Sequence, residues 1–441
     1  MAIHLTRRQV ISGAALAAAA GAAAAGRPFS ALANITLGPR PRNVGADTLV
    51  VIFLRGGADG LNIVPPYFED DYYRLRPSLG LPRPNDRSAP AAARALDLDS
   101  RFGLHPALAP LLPLYRDGQL AILQAIGSGD QTRSHFEAMA TMERGNSRDS
   151  GASSGWLARH LLSTAEELEP PLRAVAIAET MPESLRGATN ATALLSLADY
   201  RLTGYELSHH DGNPVSRPSA PRTDAVTETL RALYVNEKSD MLRNAGSETL
   251  AALDAVKKLD PIHYQPSLGV VYPKTELATG MRQAACMVKG EVGLEVACLD
   301  LGGWDTHITQ GRETGFQATR LAELGGALAA FSADLGPLMS RVTVIAMTEF
   351  GRRAYENTSL GTDHGRASCM FVLGGGVNGG KVYADWPGLS EDKLEDGGDL
   401  RVTTDYRDLL SEVLSSRLRN HKLQEVFLDY TPKTRGVLKQ I

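Results

Sequence analysis

The sequence predicts an α/β fold, a doubly wound, largely parallel sheet with helices on both faces. Three observations carry that expectation. Six short apolar runs recur along the chain and are nearly continuous rather than alternating, as strands buried on both faces are. Helical stretches separate them, the alternation that builds parallel sheets. Glycine and proline, 43 and 24 of 441 residues, are too abundant for an all-helical bundle and suit many tight loops.

The elements follow in chain order. Residues 1–33 read as an export segment: Thr6, Arg7, Arg8 and Gln9, an alanine-rich apolar run over Ile11 to Ala25, then Ala31, Leu32 and Ala33 ahead of Asn34. Paired arginines, a short greasy run and a small-residue cleavage site resemble a twin-arginine signal, which would deliver a folded protein to the periplasm or beyond through the twin-arginine machinery. The run is too short and too weakly apolar for a permanent span, and no other segment could cross a bilayer. Predicted strands follow at Thr48 to Leu54, Leu120 to Ile126, Ala174 to Ala178, Leu294 to Leu301, Val342 to Met347 and Cys369 to Leu373. Predicted helices lie near Ala107 to Tyr115, Ser134 to Glu143, Trp156 to Ser163, Glu228 to Leu259, Thr275 to Lys289, Thr314 to Leu335 and Tyr406 to Leu418. The polar, turn-rich stretch from Tyr200 leads into a charged helix, so residues 200–272 are expected to be a loop and helical insertion in one domain spanning 34–441. The glycine-rich stretch from Gly374 to Gly380 lacks the Lys and Ser/Thr of a phosphate loop and is expected to be a turn between strands.

Composition excludes other classes. Once the export segment, with its three arginines and no acid, is set aside, 43 basic residues face 50 acidic ones, about −7, so a nucleic-acid partner is not expected. Cys286, Cys298 and Cys369 are three and widely spaced, which implies no disulfide framework and suits core positions.

Open α/β sheets bind ligands beyond the carboxyl ends of their strands. There the sequence is unusually polar: Arg55 to Asn62 after the first strand, Gly127 to His135 after the second, Gly302 to His307 after the Val296 run, Thr348 to Arg352 after the Val342 run, and Gly361 to Gly365 ahead of the last core strand. Asp305 with His307, and Asp363 with His364, pair carboxylate oxygen with imidazole nitrogen, donors that suit divalent ions. Asp59 stands at a third strand end, where an Asx bond within its own turn competes with ligation. Ser134 opens a helix, so a capping role competes with a nucleophilic one among backbone N–H donors. Arg55, Arg133 and Arg352 could grip an oxyanion, or could simply be paired with acids such as Glu349. Neither a G-x-S-x-G elbow nor an H-E-x-x-H motif occurs.

The set FLRGGADGLN (Phe53 to Asn62), RSHFEAM (Arg133 to Met139), GGWDTH (Gly302 to His307), TEFGR (Thr348 to Arg352) and GTDHG (Gly361 to Gly365) resembles the bacterial domain of unknown function 1501 family over nearly all of the mature chain. That family is grouped with the alkaline phosphatase-like superfamily. The resemblance implies a sheet of about eight to ten strands with a metal site at its C-terminal edge. It implies metal ligation by Asp59, Asp305, His307, Asp363 and His364, with Ser134 as nucleophile and Thr132 second. Arg55, Asn62, Arg133, His135, Glu349 and Arg352 fall where substrate would be held. Phosphatase-type members supply a further late histidine; here only His421 follows His364. The sulfatase signature C/S-x-P-x-R is also missing.

The function these residues imply is an exported hydrolase of phosphate or sulfate esters using one or two divalent ions of the Zn, Mg, Mn or Ca kind and a small-molecule ester substrate. The alternative, from a different class, is a non-catalytic periplasmic binding or assembly protein on the same fold.

Overall fold

The computed structural model describes residues 47–146, 151–166, 169–202, 204–210, 213–219 and 223–439. The predicted export segment, with Arg7 and Arg8, lies outside them. Among the described residues, 197–263 form one compact unit and the rest another.

The larger unit is built on a nine-stranded mixed sheet: β1 Thr48–Leu54, β2 Leu120–Gly127, β3 Ala174–Ile177, β4 Ala191–Leu194, β5 Val296–Leu301, β6 Val342–Met347, β7 Ser368–Gly374, β8 Lys381–Tyr383 and β9 Thr404–Asp405. The order is β8-β2-β7-β6-β1-β5-β3-β4, and β9 also pairs β2. All pairings are parallel except those of β7, which runs against both β6 and β2. The α/β, mostly parallel architecture expected from the sequence is therefore present, with one reversed strand. Three short strands, β4, β8 and β9, were not anticipated: β8 and β9 have three and two residues, too few for a readable period, and β4 is mostly only half-buried and so shows no apolar run.

Both faces of the sheet are covered, which is why its strands read as unbroken apolar runs. Every residue of β1 is buried. Leu49, Val51 and Phe53 join Cys298, Ile345, Met347 and Val372 in a cluster that includes Trp156 and Leu161 of one helix (Trp156–Ser163) and Leu409 to Leu414 of another (Tyr406–Ser416). On the opposite face, Leu299 of β5 lies against Gly280 of the helix Glu276–Lys289. All three cysteines are free and buried. No helix among the described residues is long and apolar enough to cross a membrane.

In the smaller unit the polar stretch expected as a loop contains an antiparallel hairpin, Gly204–His210 with Asn213–Ser219. The single helix expected over Glu228 to Leu259 is two, Thr223–Val235 and Asp240–Leu259, the second opened by Ser239 accepting from the amide of Leu242. A serine followed by an aspartate is a helix-start signal that breaks the longer pattern.

Topology decides where chemistry can sit. The carboxyl ends of β1, β5, β6 and β2 share one edge, fixed by the registers Leu54 with Leu301, Phe53 with Met347 and Ser368 with Ile126. Because β7 runs backwards, the loop that precedes it, carrying Asp363 and His364, arrives at that same edge.

Candidate functional site

Five loop segments meet at this edge, two of them on the single connection between β6 and β7, and the guanidinium of Arg352 ties four of the segments together. Nearly fully buried, it donates from Nε to the Gly57 carbonyl (2.6 Å), from Nη1 to that of Thr362 (3.0 Å), and from Nη2 to Trp304 O (3.0 Å), Gly56 O and Asp305 Oδ1 (2.7 Å). Close approach of the loops needs glycine at two places. A Cβ on Gly56, whose φ is +120°, would lie 2.7 Å from the Asp305 amide nitrogen, and one on Gly361 would lie 2.3 Å from the His307 carbonyl carbon.

Three imidazoles gather there. His307 Nε2 is 2.9 Å from His364 Nε2, and both are 3.1 Å from Asp305 Oδ1. His135 Nε2, buried and without a hydrogen bond, lies 3.5 Å from Asp305 Oδ2. Its ring stands edge-on to His364 with centroids 4.3 Å apart, and Phe350 packs against both. One ligand atom each from His135, Asp305 and His364 falls within 4.8 Å of the others.

Each ring is held by its outer nitrogen. His307 Nδ1 faces Asp363 Oδ1 at 2.9 Å, His364 Nδ1 faces the Arg133 carbonyl at 2.8 Å, and His135 Nδ1 faces Glu349 Oε1 at 2.8 Å. A carbonyl can only accept, so His364 carries its proton on Nδ1, and the Asp363 carboxylate, held ionised below its ordinary range by the bond from His307, demands the same of that ring. In the neutral rings the Nε2 atoms are then lone pairs. Burial pushes the His364 pKa down and keeps it neutral, whereas the Glu349 bond outweighs burial at His135 and raises it. Burial opposes the charge of Asp305, yet the Arg352 guanidinium beside it prevails and holds its carboxyl below the ordinary carboxylate range.

Two imidazole lone pairs and a carboxylate oxygen at mutual spacings of 2.9 and 3.1 Å repel unless a cation sits among them. Histidines whose outer N–H is anchored on a carboxylate or carbonyl are the usual arrangement around a metal, since the anchor fixes tautomer and ring direction. The donor set therefore fits a divalent ion held by His307, His364 and Asp305, with His135 within reach.

Other residues singled out from the sequence sit elsewhere or act differently. Asp59, expected as a ligand, is buried in a two-pronged pair with Arg76 (2.6 and 2.9 Å) and also accepts from Gln310 (2.7 Å), so its oxygens are already engaged. Asp363 stands behind His307, where it orients the ring. Asn62 is fully buried, donating to Leu79 O and accepting from Tyr72 and Arg76, so its polar atoms are engaged within the fold. Arg55 lies between Glu143 and Asp300, and Arg133 between Asp399 and Asp396. Ser134 holds the capping position of the helix His135–Arg144 without making a side-chain cap bond, and the Thr132 hydroxyl is buried with no partner. Glu349, besides His135, accepts from the Gly56 amide (2.8 Å) and Thr348 (3.0 Å). His421 is exposed, and the third histidine at this edge is His135 of the RSH motif, expected as a substrate contact.

A family model, described as protein of unknown function (DUF1501), matches residues 46–424. The chain belongs to the DUF1501 family. Each of the five loop segments at the sheet edge falls inside the matched segment of this DUF1501 protein. Among solved structures, it is similar to the PH0037 protein from Pyrococcus horikoshii, with 11% identity, 85% of this chain and 98% of that chain covered, and a TM-score of 0.32. No curated protein matches.

Proposed function

We propose that this DUF1501 protein is an exported, metal-dependent hydrolase of phosphate or sulfate esters on an alkaline phosphatase-like fold. The observation that carries the reading is the convergence of His307 Nε2, His364 Nε2 and Asp305 Oδ1, each imidazole anchored from behind. Adjacent Asp363 and His364 at the end of a mostly parallel sheet support the fold assignment. A divalent ion supplies Lewis acidity toward an ester oxygen. The chain's own residues do the rest: His307, His364, Asp305 and His135 hold the ion, and Asp363 and Glu349 fix two of the rings. Ser134 or Thr132, on the loop whose Arg133 carbonyl anchors His364, supplies the attacking hydroxyl.

Export rests on Arg7 and Arg8; replacing both by lysine should leave precursor in the cytoplasm, and unchanged export of the variant would sink that part. The catalytic reading is tested by supplying the purified protein with Zn, Mn, Mg or Ca and screening chromogenic phosphate and sulfate esters. Turnover that requires metal supports it. Retention of metal with no turnover of any ester would make this a binding or assembly protein on the same fold.

A further inference from the structure

We infer that the ester accepted at this site carries a single negative charge at the reacting phosphorus or sulfur, as a phosphodiester or a sulfate monoester does, and that doubly charged phosphate monoesters are disfavoured. The inference rests on the hydrolase reading above and names its substrate class.

A dianionic group needs cationic partners beyond one divalent ion, and arginine is the residue that supplies them bidentately. Three arginines stand at the strand ends that form the site, and each is already neutralised. Arg352 is about 1% exposed and spends its donors on four backbone carbonyls and on Asp305, so it staples loops and offers nothing outward. Arg55 has Glu143 on one side at 3.1 Å and Asp300 on the other at 2.8 Å. Arg133 has Asp396 at 2.9 Å and the fully buried Asp399 even closer, and the neighbouring Arg353 faces Asp399 at 3.7 Å. Two of the three site arginines thus meet two carboxylates apiece. Asp305, Asp363 and Glu349 add three more acids in contact with the histidines. Even with a divalent ion bound, the balance around the histidines leaves no surplus positive charge for a second negative charge on substrate, and at short range a second like charge is costly.

The test uses metal-replete protein and two uncleavable anions, phenylphosphonate at a pH where it is a dianion and its monomethyl ester, which stays a monoanion. Calorimetric titration should show the monoanion binding about tenfold or more tightly, the effect of roughly one unfavourable charge contact. In parallel, bis(p-nitrophenyl) phosphate and p-nitrophenyl sulfate should be turned over with higher kcat/KM than p-nitrophenyl phosphate, and comparison of the two shows which of the singly charged classes is used. Asp396→Asn removes one of the acids on Arg133 at an exposed position outside the ligand set, and should narrow the preference without changing metal content. Equal or tighter binding of the dianion would overturn the inference, as would failure of both anions to bind protein that holds metal. A monoanion preference in binding with no turnover of any ester would leave the inference standing and refute the hydrolase reading.

Discussion

Nε2 of His307 and Nε2 of His364 stand 2.9 Å apart, each with its proton-bearing nitrogen turned away toward an acceptor. Asp363 is what commits the His307 ring to that direction. Asp363→Asn replaces a carboxylate that can only accept with an amide that can also donate, so the tautomer is no longer imposed. Metal affinity, measured by competition with a chromogenic chelator, should fall by roughly 10–100-fold. Undiminished affinity would show that Asp363 does not position the ring.

Asp59 should behave in the opposite way. Its carboxylate neutralises Arg76, and both side chains are essentially buried. Asp59→Ala leaves a buried guanidinium without its counter-charge, a loss of about 3–5 kcal/mol. Denaturant unfolding should show that loss, while the refolded or low-temperature protein keeps its metal. Loss of metal from a folded Asp59→Ala protein would return Asp59 to the ligand set.

Ser134 makes no side-chain bond to the helix it opens, so Ser134→Ala should cost less than the ~1 kcal/mol of a lost cap. Turnover should nonetheless drop by orders of magnitude in Ser134→Ala or in Thr132→Ala, whichever bears the attacking hydroxyl, with metal still bound. If both variants keep full turnover, no hydroxyl of this loop attacks the ester.

At the opposite, amino-terminal edge of the sheet, Glu295 binds His160 at 2.9 Å and Arg173 at 2.7 Å. Burial raises its pKa, but these two partners prevail and bring it down to about 2. A depressed carboxyl stabilises the fold fully above its ordinary value near 4.5 and loses that contribution as pH falls toward 2. Glu295→Gln should therefore be less stable than the parent at neutral pH, and the gap in melting temperature should close between about pH 4.5 and 2. A gap independent of pH over that window would assign the loss to packing.

How far the sequence foretold this structure differs between scaffold and site. Strands buried on both faces announced themselves as apolar runs, so β1 and β6 fall on their predicted residues, and the helix Trp156–Ser163 does as well. The hairpin Gly204–His210 with Asn213–Ser219 was hidden by its polar residues and two prolines, although Asp211-Gly212 between its strands is a hairpin signal. At the site, Asp305 and His307 were legible because they follow a strand end, Asp363 and His364 because they pair carboxylate with imidazole just ahead of the last core strand, and His135 was recognised there too, as a substrate contact rather than a ligand. Pairwise chemistry was not legible. Nothing in the sequence says that Arg76 will occupy Asp59, or that acids far along the chain, Asp399 for Arg133 and Glu143 for Arg55, will take the arginines expected to hold substrate.

In the proposed site, His307, His364 and Asp305 close around a metal rather than around a shared proton. Metal analysis of protein purified without chelator decides it, with His307→Ala and His364→Ala beside the parent. We expect close to one divalent ion per parent chain and a near-complete loss in both variants, with the fold retained by circular dichroism. A parent that takes up no divalent metal, even when refilled and gel-filtered, or variants that hold as much as the parent, would contradict it.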